Sequence, residues 1–142
     1  MYSKAEMQQL KREFWTAFAD AYPQKWLLYD TKIKDVSLKF HAQGKQAQVM
    51  LTIESRDDDR RYAYFDKMLS LQTLLKQDYL PDALLEKDVY LENKVISKVW
   101  VEFNGFSINN RAHWPTIFDF FAQNMTQFEL FFYEFEDYIK DI

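Results

Sequence analysis

Apolar residues in the last quarter of the chain recur at steps of three and four. This spacing places them on one face of a helix, so the pattern predicts a long amphipathic helix with an aromatic seam. The helix should begin near Trp114-Pro115, because proline is tolerated in a first helical turn. We expect the seam to pack on the rest of the chain, and a dimeric helix pair is the alternative. The seam consists of Phe118, Phe121, Met125, Phe128, Phe132, Phe135 and Ile139.

Two further segments have helical periodicity. Ser3 and Glu6 have the spacing of a capping box, and the apolar steps that follow them stop at Pro23. The acidic run 57–59 suits the positive end of a helix dipole. It opens a second helix with a broad apolar face, which we expect to end before Pro81.

Strict alternation of apolar and polar residues over 36–40 and 47–53 predicts the first β-hairpin. Partners in an antiparallel pair share a face, so we expect Phe40 to lie opposite Ala47. A two-residue turn at Gln43-Gly44 then connects the strands, with glycine supplying a positive φ.

A second hairpin is predicted from alternation around Val89 and Leu91 and again over 95–103. The apolar residues of both strands lie on the helix side of the sheet only if the loop between the strands has an odd number of residues. We therefore expect a three-residue loop around Asn93-Lys94, since a two-residue turn would place Val89 and Leu91 on the other side.

The predicted order is α-β-β-α-β-β-α, which indicates an α+β fold. Two β-hairpins form a four-stranded antiparallel sheet, with helices packed on one face and a long C-terminal helix. No linker or change of composition interrupts the chain, so we expect a single domain over residues 1–142.

Composition narrows the classes of function. The 142 residues contain no cysteine, which excludes disulfides, thiolate metal sites and thiol nucleophiles. A net charge of −4 disfavours nucleic acid or an anionic membrane as the main partner. The first residues lack the apolar core of a signal peptide, and no apolar run has transmembrane length, so we expect a cytoplasmic protein without membrane contact.

Several aromatic motifs span most of the chain. They are Phe14-Trp15, Trp26-Leu27-Leu28-Tyr29-Asp30-Thr31, Lys34-Asp35-Val36, Ile53-Glu54, Phe65 with Leu71, and Trp114-Pro115-x-x-Phe118-x-Phe120-Phe121. Together they resemble an uncharacterised bacterial domain-of-unknown-function family of similar length. Its members stand alone or are appended to larger chains, some of them endonuclease-like. The resemblance implies a fold and a possible nuclease association, and it implies no activity.

Restriction-type nucleases use an Asp and a downstream Asp/Glu-x-Lys, since two carboxylates hold the metal while lysine assists the attacking water. The chain offers Asp35 and Glu54-Ser55-Arg56, but a guanidinium cannot act as a base, and we expect Glu54 to face solvent. His41 and His113 are far apart and lack metal-ligand spacing. We therefore expect no catalytic residue, no metal site and no cofactor, and a protein that is not an enzyme.

The sheet face opposite the helices is the candidate binding surface, because aromatic rings among polar neighbours are typical of interaction sites. The first hypothesis is a non-enzymatic binding or adaptor module, which engages a protein partner or a second copy through this face or the C-terminal helix. A helix or the Trp26 to Thr31 segment would cover the face in the competing interpretation. The proposed site residues are Tyr90, Trp100, Met50, His41 and Lys98.

The alternative hypothesis is a restriction-nuclease-associated domain that contacts nucleic acid, with degenerate or no catalytic chemistry. Basic side chains would then bind phosphates, and charge reversal should abolish that binding. The candidate contacts are Lys32, Lys34, Arg56, Arg60 and Arg61.

Overall fold

A computed structural model of the protein describes residues 2–142, which form four α-helices, four strands and one 3₁₀ turn. The helices are α1 (Lys4–Ala21), α2 (Asp58–Ser70), α3 (Gln72–Asp78) and α4 (Trp114–Lys140). The strands are β1 (Val36–Gln43), β2 (Gln46–Ile53), β3 (Leu84–Leu91) and β4 (Lys94–Asn104), and the 3₁₀ turn is Arg111–His113. Within the described residues, no helix has the length and apolar character that crossing a bilayer requires.

The strands form one antiparallel sheet in the order β1-β2-β4-β3. Leu51 pairs with Leu38 on one side and with Val99 on the other. Because side chains alternate along a strand, these residues share one face, which we call the covered face. Their side chains belong to the same buried cluster as residues of all four helices. The predicted α+β class and four-stranded antiparallel sheet are confirmed, and the helices lie on one face as expected.

Helix α4 buries the predicted aromatic seam on the covered face. Phe121, Met125 and Phe128 have no exposed surface, and Phe128 lies in the same cluster as Val49 and Val99. Phe135 is only partly buried. The seam therefore packs within its own chain, where side-chain burial stabilises the helix far more than intrinsic propensity does.

The helix starts agree with their sequence signals. Ser3 and Glu6 form the capping box of α1, and the Asp57 side chain caps α2 by accepting from the amides of Asp59 and Arg60. The second predicted helix is divided, however. It ends at Ser70, the Leu71 amide donates to carbonyls of the preceding turn, and α3 continues from Gln72.

The predicted register of the first hairpin is wrong by two residues. Ala47 pairs with Ala42 rather than Phe40, and the turn is Gly44-Lys45 with a Gly44 φ of 58°. A slip of two residues leaves every side chain on its predicted face, because strand side chains repeat with a period of two. The apolar rows of β1 and β2 are therefore on the covered face as expected.

The prediction for the second hairpin is wrong in a way that changes faces. Leu91 pairs with Lys94, so a two-residue turn of Glu92-Asn93 replaces the expected three-residue loop, and Glu92 adopts a φ of 56°. The register then shifts between Glu86 and Val89, where a β-bulge places one extra residue in β3. Because the turn has two residues, Val89 and Leu91 pair with Ile96 and Lys94 and lie on the face opposite the helices, which we call the open face.

Candidate binding groove on the open sheet face

The open face contains a groove formed by strand residues and by Glu92 of the β3–β4 turn. Its cavity volume is about 290 Å³, close to the lower end of the range typical of ligand pockets. Alternate residues of all four strands meet here because the two-residue turn brings the end of β3 onto this face. We call this cavity the open-face groove.

The floor of the groove is apolar. Met50 and Ile96 are 8% and 1% exposed, yet neither belongs to the hydrophobic cluster beneath the helices. Val89 and Leu91 extend this apolar surface along β3, and Leu91 is 45% exposed. The sheet therefore carries a second, smaller apolar cluster that the helices do not cover.

Gln48 places an unpaired acceptor at the groove. The Gln46 amide nitrogen donates to Glu102 Oε2 at 3.2 Å, and Gln48 Nε2 donates to Gln46 Oε1 at 2.6 Å. Because a carboxylate only accepts, Glu102 fixes the orientation of both amides. Gln48 is 8% exposed, and within residues 2–142 no donor reaches its Oε1. A buried acceptor without a donor is costly unless a binding partner supplies one.

Lys98 brings a positive charge to the groove. Its Nζ lies 4.4 Å from the centre of the Trp100 ring, a cation–π arrangement. Among the described residues Lys98 forms no salt bridge. Burial lowers the pKa of Lys98, while the carboxylates of Glu102 and Glu86 raise it in part. The ammonium group is thus partly desolvated and lacks a bonded anion.

His41 lines the groove together with Lys98 and is exposed. Burial of its ring lowers the pKa of His41, and the positive charges of Lys98 and Lys11 lower it further. The imidazole is therefore neutral near pH 7. It can donate or accept one hydrogen bond without adding charge.

Of the five predicted binding residues, Met50, His41 and Lys98 line the groove. Trp100 borders it beneath the Lys98 ammonium, half-buried, with its indole N–H donated to Glu102 at 2.8 Å. The prediction that Tyr90 shares this face is wrong. Tyr90 pairs with Val95, projects from the other face and is 82% exposed, because the β3–β4 turn has two residues and not the expected three, which exchanges the faces of the residues next to it.

The nuclease-like carboxylates are held by cationic side chains. Glu54 accepts from Lys39 and Lys94, each at 2.5 Å, and from Thr52 at 3.0 Å. Partial burial opposes ionisation of Glu54, but these hydrogen bonds outweigh it and lower its pKa to about 2. The expectation that Glu54 faces solvent is wrong, since its side chain is mostly buried. Asp35 lies 3.6 Å from the Arg60 guanidinium.

The two histidines are far apart in the fold. His113 precedes α4, where its Nδ1 accepts from the Ser107 amide at 3.0 Å and its Nε2 lies 3.1 Å from the Asn110 side chain. In residues 2–142, no three His, Asp or Glu side chains are grouped as metal ligands. Both ring nitrogens of His113 are engaged in local structure.

Only three of the five basic residues proposed to contact nucleic acid lie close together in the structure. Arg61 is 1% exposed, so the prediction that it contacts nucleic acid is wrong. Its Nη1 donates to the Lys87 carbonyl at 2.7 Å and lies 3.0 Å from Asp88, which makes it a structural anchor for the β3 bulge. Lys32 is exposed and pairs with Asp30.

The other three basic residues surround a second cavity of about 490 Å³ beside the start of α2. Three carboxylates share its lining, so the cavity has no excess of formal positive charge. Its charged lining consists of Lys34, Arg56, Arg60, Asp35, Glu54 and Asp57.

Sequence reasoning missed the residues that make the groove apolar. The alternation predicts Val89 and Leu91 on the helix side and predicts no face for Ile96. Alternation placed Gln48 on the correct face, but its missing donor depends on contacts between strands that no local pattern shows. The Glu92-Asn93 pair could have indicated a two-residue turn between the strands. It lacks the glycine that usually marks such turns.

Comparison with known families places most of the chain in a family model. The model of a family described as Domain of unknown function (DUF4268) matches residues 10–136. No curated protein and no solved structure gives a significant match to the chain.

Proposed function

The chain belongs to the DUF4268 family, a domain of unknown function, and we propose that it is a non-enzymatic module that binds a protein partner through the open-face groove. One observation carries this proposal: the groove combines a separate apolar floor with the unpaired Gln48 acceptor. An apolar pocket with a few oriented polar groups is the usual form of a binding site.

The outer face of α4 is the other surface named for this role. It exposes Leu130 and Tyr133, but charged residues such as Glu134 and Asp137 share that face. Single exposed apolar residues are normal on protein surfaces. The groove is favoured because its apolar residues line one cavity together with Gln48, whose buried side-chain oxygen has no donor.

A matched pair of leucine substitutions tests this proposal. Leu91 in the groove is 45% exposed and Leu130 on α4 is 51% exposed, so a charge at either site should affect folding equally little. A partner isolated with the wild-type protein is purified, and its direct binding is measured by calorimetry. We expect Leu91→Glu to weaken binding at least tenfold and Leu130→Glu to leave it unchanged.

The reverse pattern would move the binding surface to α4 and refute the groove. If the purified partner is a second copy of the chain, sedimentation should show a dimer that Leu91→Glu dissociates. Binding that neither substitution affects would also contradict the proposal.

A second candidate function is contact with nucleic acid without catalysis, as in a domain that accompanies a nuclease. The observation that favours it is the convergence of Lys34, Arg56 and Arg60 on one cavity. Fluorescence anisotropy with labelled DNA and RNA at low salt tests it. The double variant Lys34→Glu/Arg56→Glu should abolish binding, whereas Lys32→Glu, outside the cavity, should not. Absence of binding to either nucleic acid would remove this candidate.

A further inference from the structure

The open-face groove has a charge that differs from that of the whole chain. Two basic residues, Lys39 and Lys98, and one acidic residue, Glu92, line the groove, whereas the complete chain has a net charge of −4. Lys39 is already bonded to Glu54. Lys98 is therefore the cation that remains for an anionic group of the occupant.

Three chemical requirements meet within this groove. The apolar floor at Met50 and Ile96 suits an apolar group, and Lys98 suits an anion. Gln48 Oε1 lacks a donor but is itself enclosed, so an N–H or O–H of the occupant can bond to it once the Gln48 amide turns towards the groove. The volume of about 290 Å³ limits the part that enters to one residue or a small molecule. An internal acidic segment would have to supply the anion and the apolar group from two different residues.

The C-terminal residue of a polypeptide carries all three groups within a few bonds: a carboxylate, a backbone N–H and a side chain. Resting on the function proposed above, we propose that the open-face groove binds the free C-terminal residue of a partner protein, with an apolar side chain such as leucine. The side chain lies on Met50 and Ile96, the carboxylate pairs with Lys98, and the backbone N–H donates to Gln48.

Three small probes separate these contributions. N-acetyl-L-leucine has the carboxylate, the N–H and the side chain, N-acetyl-L-leucinamide lacks the charge, and 4-methylpentanoate lacks the N–H. Binding to ¹⁵N-labelled protein is followed by chemical-shift perturbation. We expect N-acetyl-L-leucine to shift groove amides and to bind about tenfold more tightly than either analogue.

Two groove variants assign each preference to its residue. Lys98→Met should abolish the preference for the acid over the amide, and Gln48→Leu should abolish the preference for N-acetyl-L-leucine over 4-methylpentanoate. The control variants Lys45→Met and Gln43→Leu, both at exposed positions outside the groove, should keep both preferences. The comparison of probes on the wild-type protein needs no variant, so a folding defect in a variant leaves the proposal testable.

A pentapeptide, Gly-Ser-Gly-Ser-Leu, distinguishes a protein terminus from a free metabolite. It should bind at least as tightly as N-acetyl-L-leucine, and its C-terminal amide should bind about tenfold more weakly. If N-acetyl-L-leucine binds and the peptide does not, the occupant is a small free acid and the proposal is wrong. Equal binding of acid and amide, no binding of any probe, or shifts outside the groove would equally overturn it.

Failure here can be distinguished from failure of the proposed function. A partner whose binding depends on Leu91 but tolerates amidation of its C terminus would refute terminal recognition alone. A partner whose binding ignores Leu91 would refute the groove as the binding surface.

Discussion

The Glu54 carboxylate contributes to the stability of the fold, because three hydrogen-bond donors surround it. Its folded-state pKa of about 2 lies below the ordinary value of 4.5, so protonation is less favourable in the folded protein than in the unfolded chain. The resulting stabilisation is complete above about pH 4.5 and is lost as the pH falls towards 2. Its size is on the order of 3 kcal/mol, because the shift from 4.5 to about 2 is multiplied by about 1.4 kcal/mol for each pKa unit.

We predict that Glu54→Gln lowers the free energy of unfolding at pH 7 by about 2 kcal/mol and flattens its decrease between pH 4.5 and 2. The amide leaves Lys39 and Lys94 without their shared anion. Urea unfolding at a series of pH values measures both effects. Glu134→Gln, at an exposed position of α4, should match the wild type. A Glu54→Gln curve parallel to that of the wild type would disprove this role.

Arg61 is the second side chain whose contribution can be isolated. It is buried, and its guanidinium joins α2 to the Lys87 carbonyl and the Ser97 hydroxyl at the bulge. We predict that Arg61→Ala costs about 3 kcal/mol, because it removes a large buried side chain and its charge-assisted hydrogen bonds. Urea unfolding should show this loss, and β3 amides should exchange faster with solvent. Arg56→Ala, at an exposed arginine, should do neither.

The loop before β1 contains an unusual concentration of left-handed backbone. Leu28, Lys32 and Asp35 all have positive φ, with values of 45°, 64° and 71°. This conformation costs a residue with a side chain about 1–2 kcal/mol relative to glycine. The Asp35 carbonyl accepts from the Glu54 amide at 2.8 Å, so the loop extends the β1–β2 ladder by one hydrogen bond.

Neighbouring lysines of this loop provide a direct test of that strain. We predict that Lys32→Gly raises the free energy of unfolding by about 0.5–1 kcal/mol, because glycine relieves the φ of 64°. Lys34→Gly, where φ is negative, should lower it by a similar amount through added freedom of the unfolded chain. Both residues are exposed, so lost packing does not confuse the comparison. Equal effects of the two substitutions in thermal unfolding would exclude backbone strain at Lys32.

The two hairpins show which features of the sheet a sequence can predict. Alternation defines the face of each residue in β1 and β2, and this assignment survives the two-residue error in register. In the second hairpin, neither the Glu92-Asn93 turn nor the bulge contains glycine, so neither has the usual sequence signal. The turn is one residue shorter than expected, and this difference moves Tyr90 out of the candidate site and brings Val89 and Leu91 into it.

Long helices are predicted more reliably than short strands and turns, because many residues fit the same periodicity. The seam of α4 has seven members at helical spacing, so no single exception changes the assignment. The division at Leu71 was missed because its backbone stays in the right-handed helical region. The orientation of the Gln48 amide is fixed by its hydrogen bond to Gln46, which in turn donates to Glu102. Sequence alone could not predict it, because the proximity of these residues depends on the register of β2 and β4.

The protein as a whole has apolar clusters on both faces of one sheet, but only the covered face carries helices. On the covered face, side chains of β2 are enclosed between the sheet and α4. On the open face, Met50 and Ile96 are buried but lie outside the cluster that the helices cover. These two side chains are therefore shielded from water although no helix packs on them, and the groove above them stays open.

Adjacent residues of β2 distinguish the two faces energetically. Leu51 and Met50 are both buried, but they point to opposite sides. We predict that Leu51→Ala costs about 3 kcal/mol, because a cavity between sheet and helix cannot collapse fully. Met50→Ala should cost about 1 kcal/mol, since its site opens into the groove and solvent fills the space. Urea unfolding with unchanged m-values measures both, and equal losses would mean that the open face is as firmly enclosed as the core.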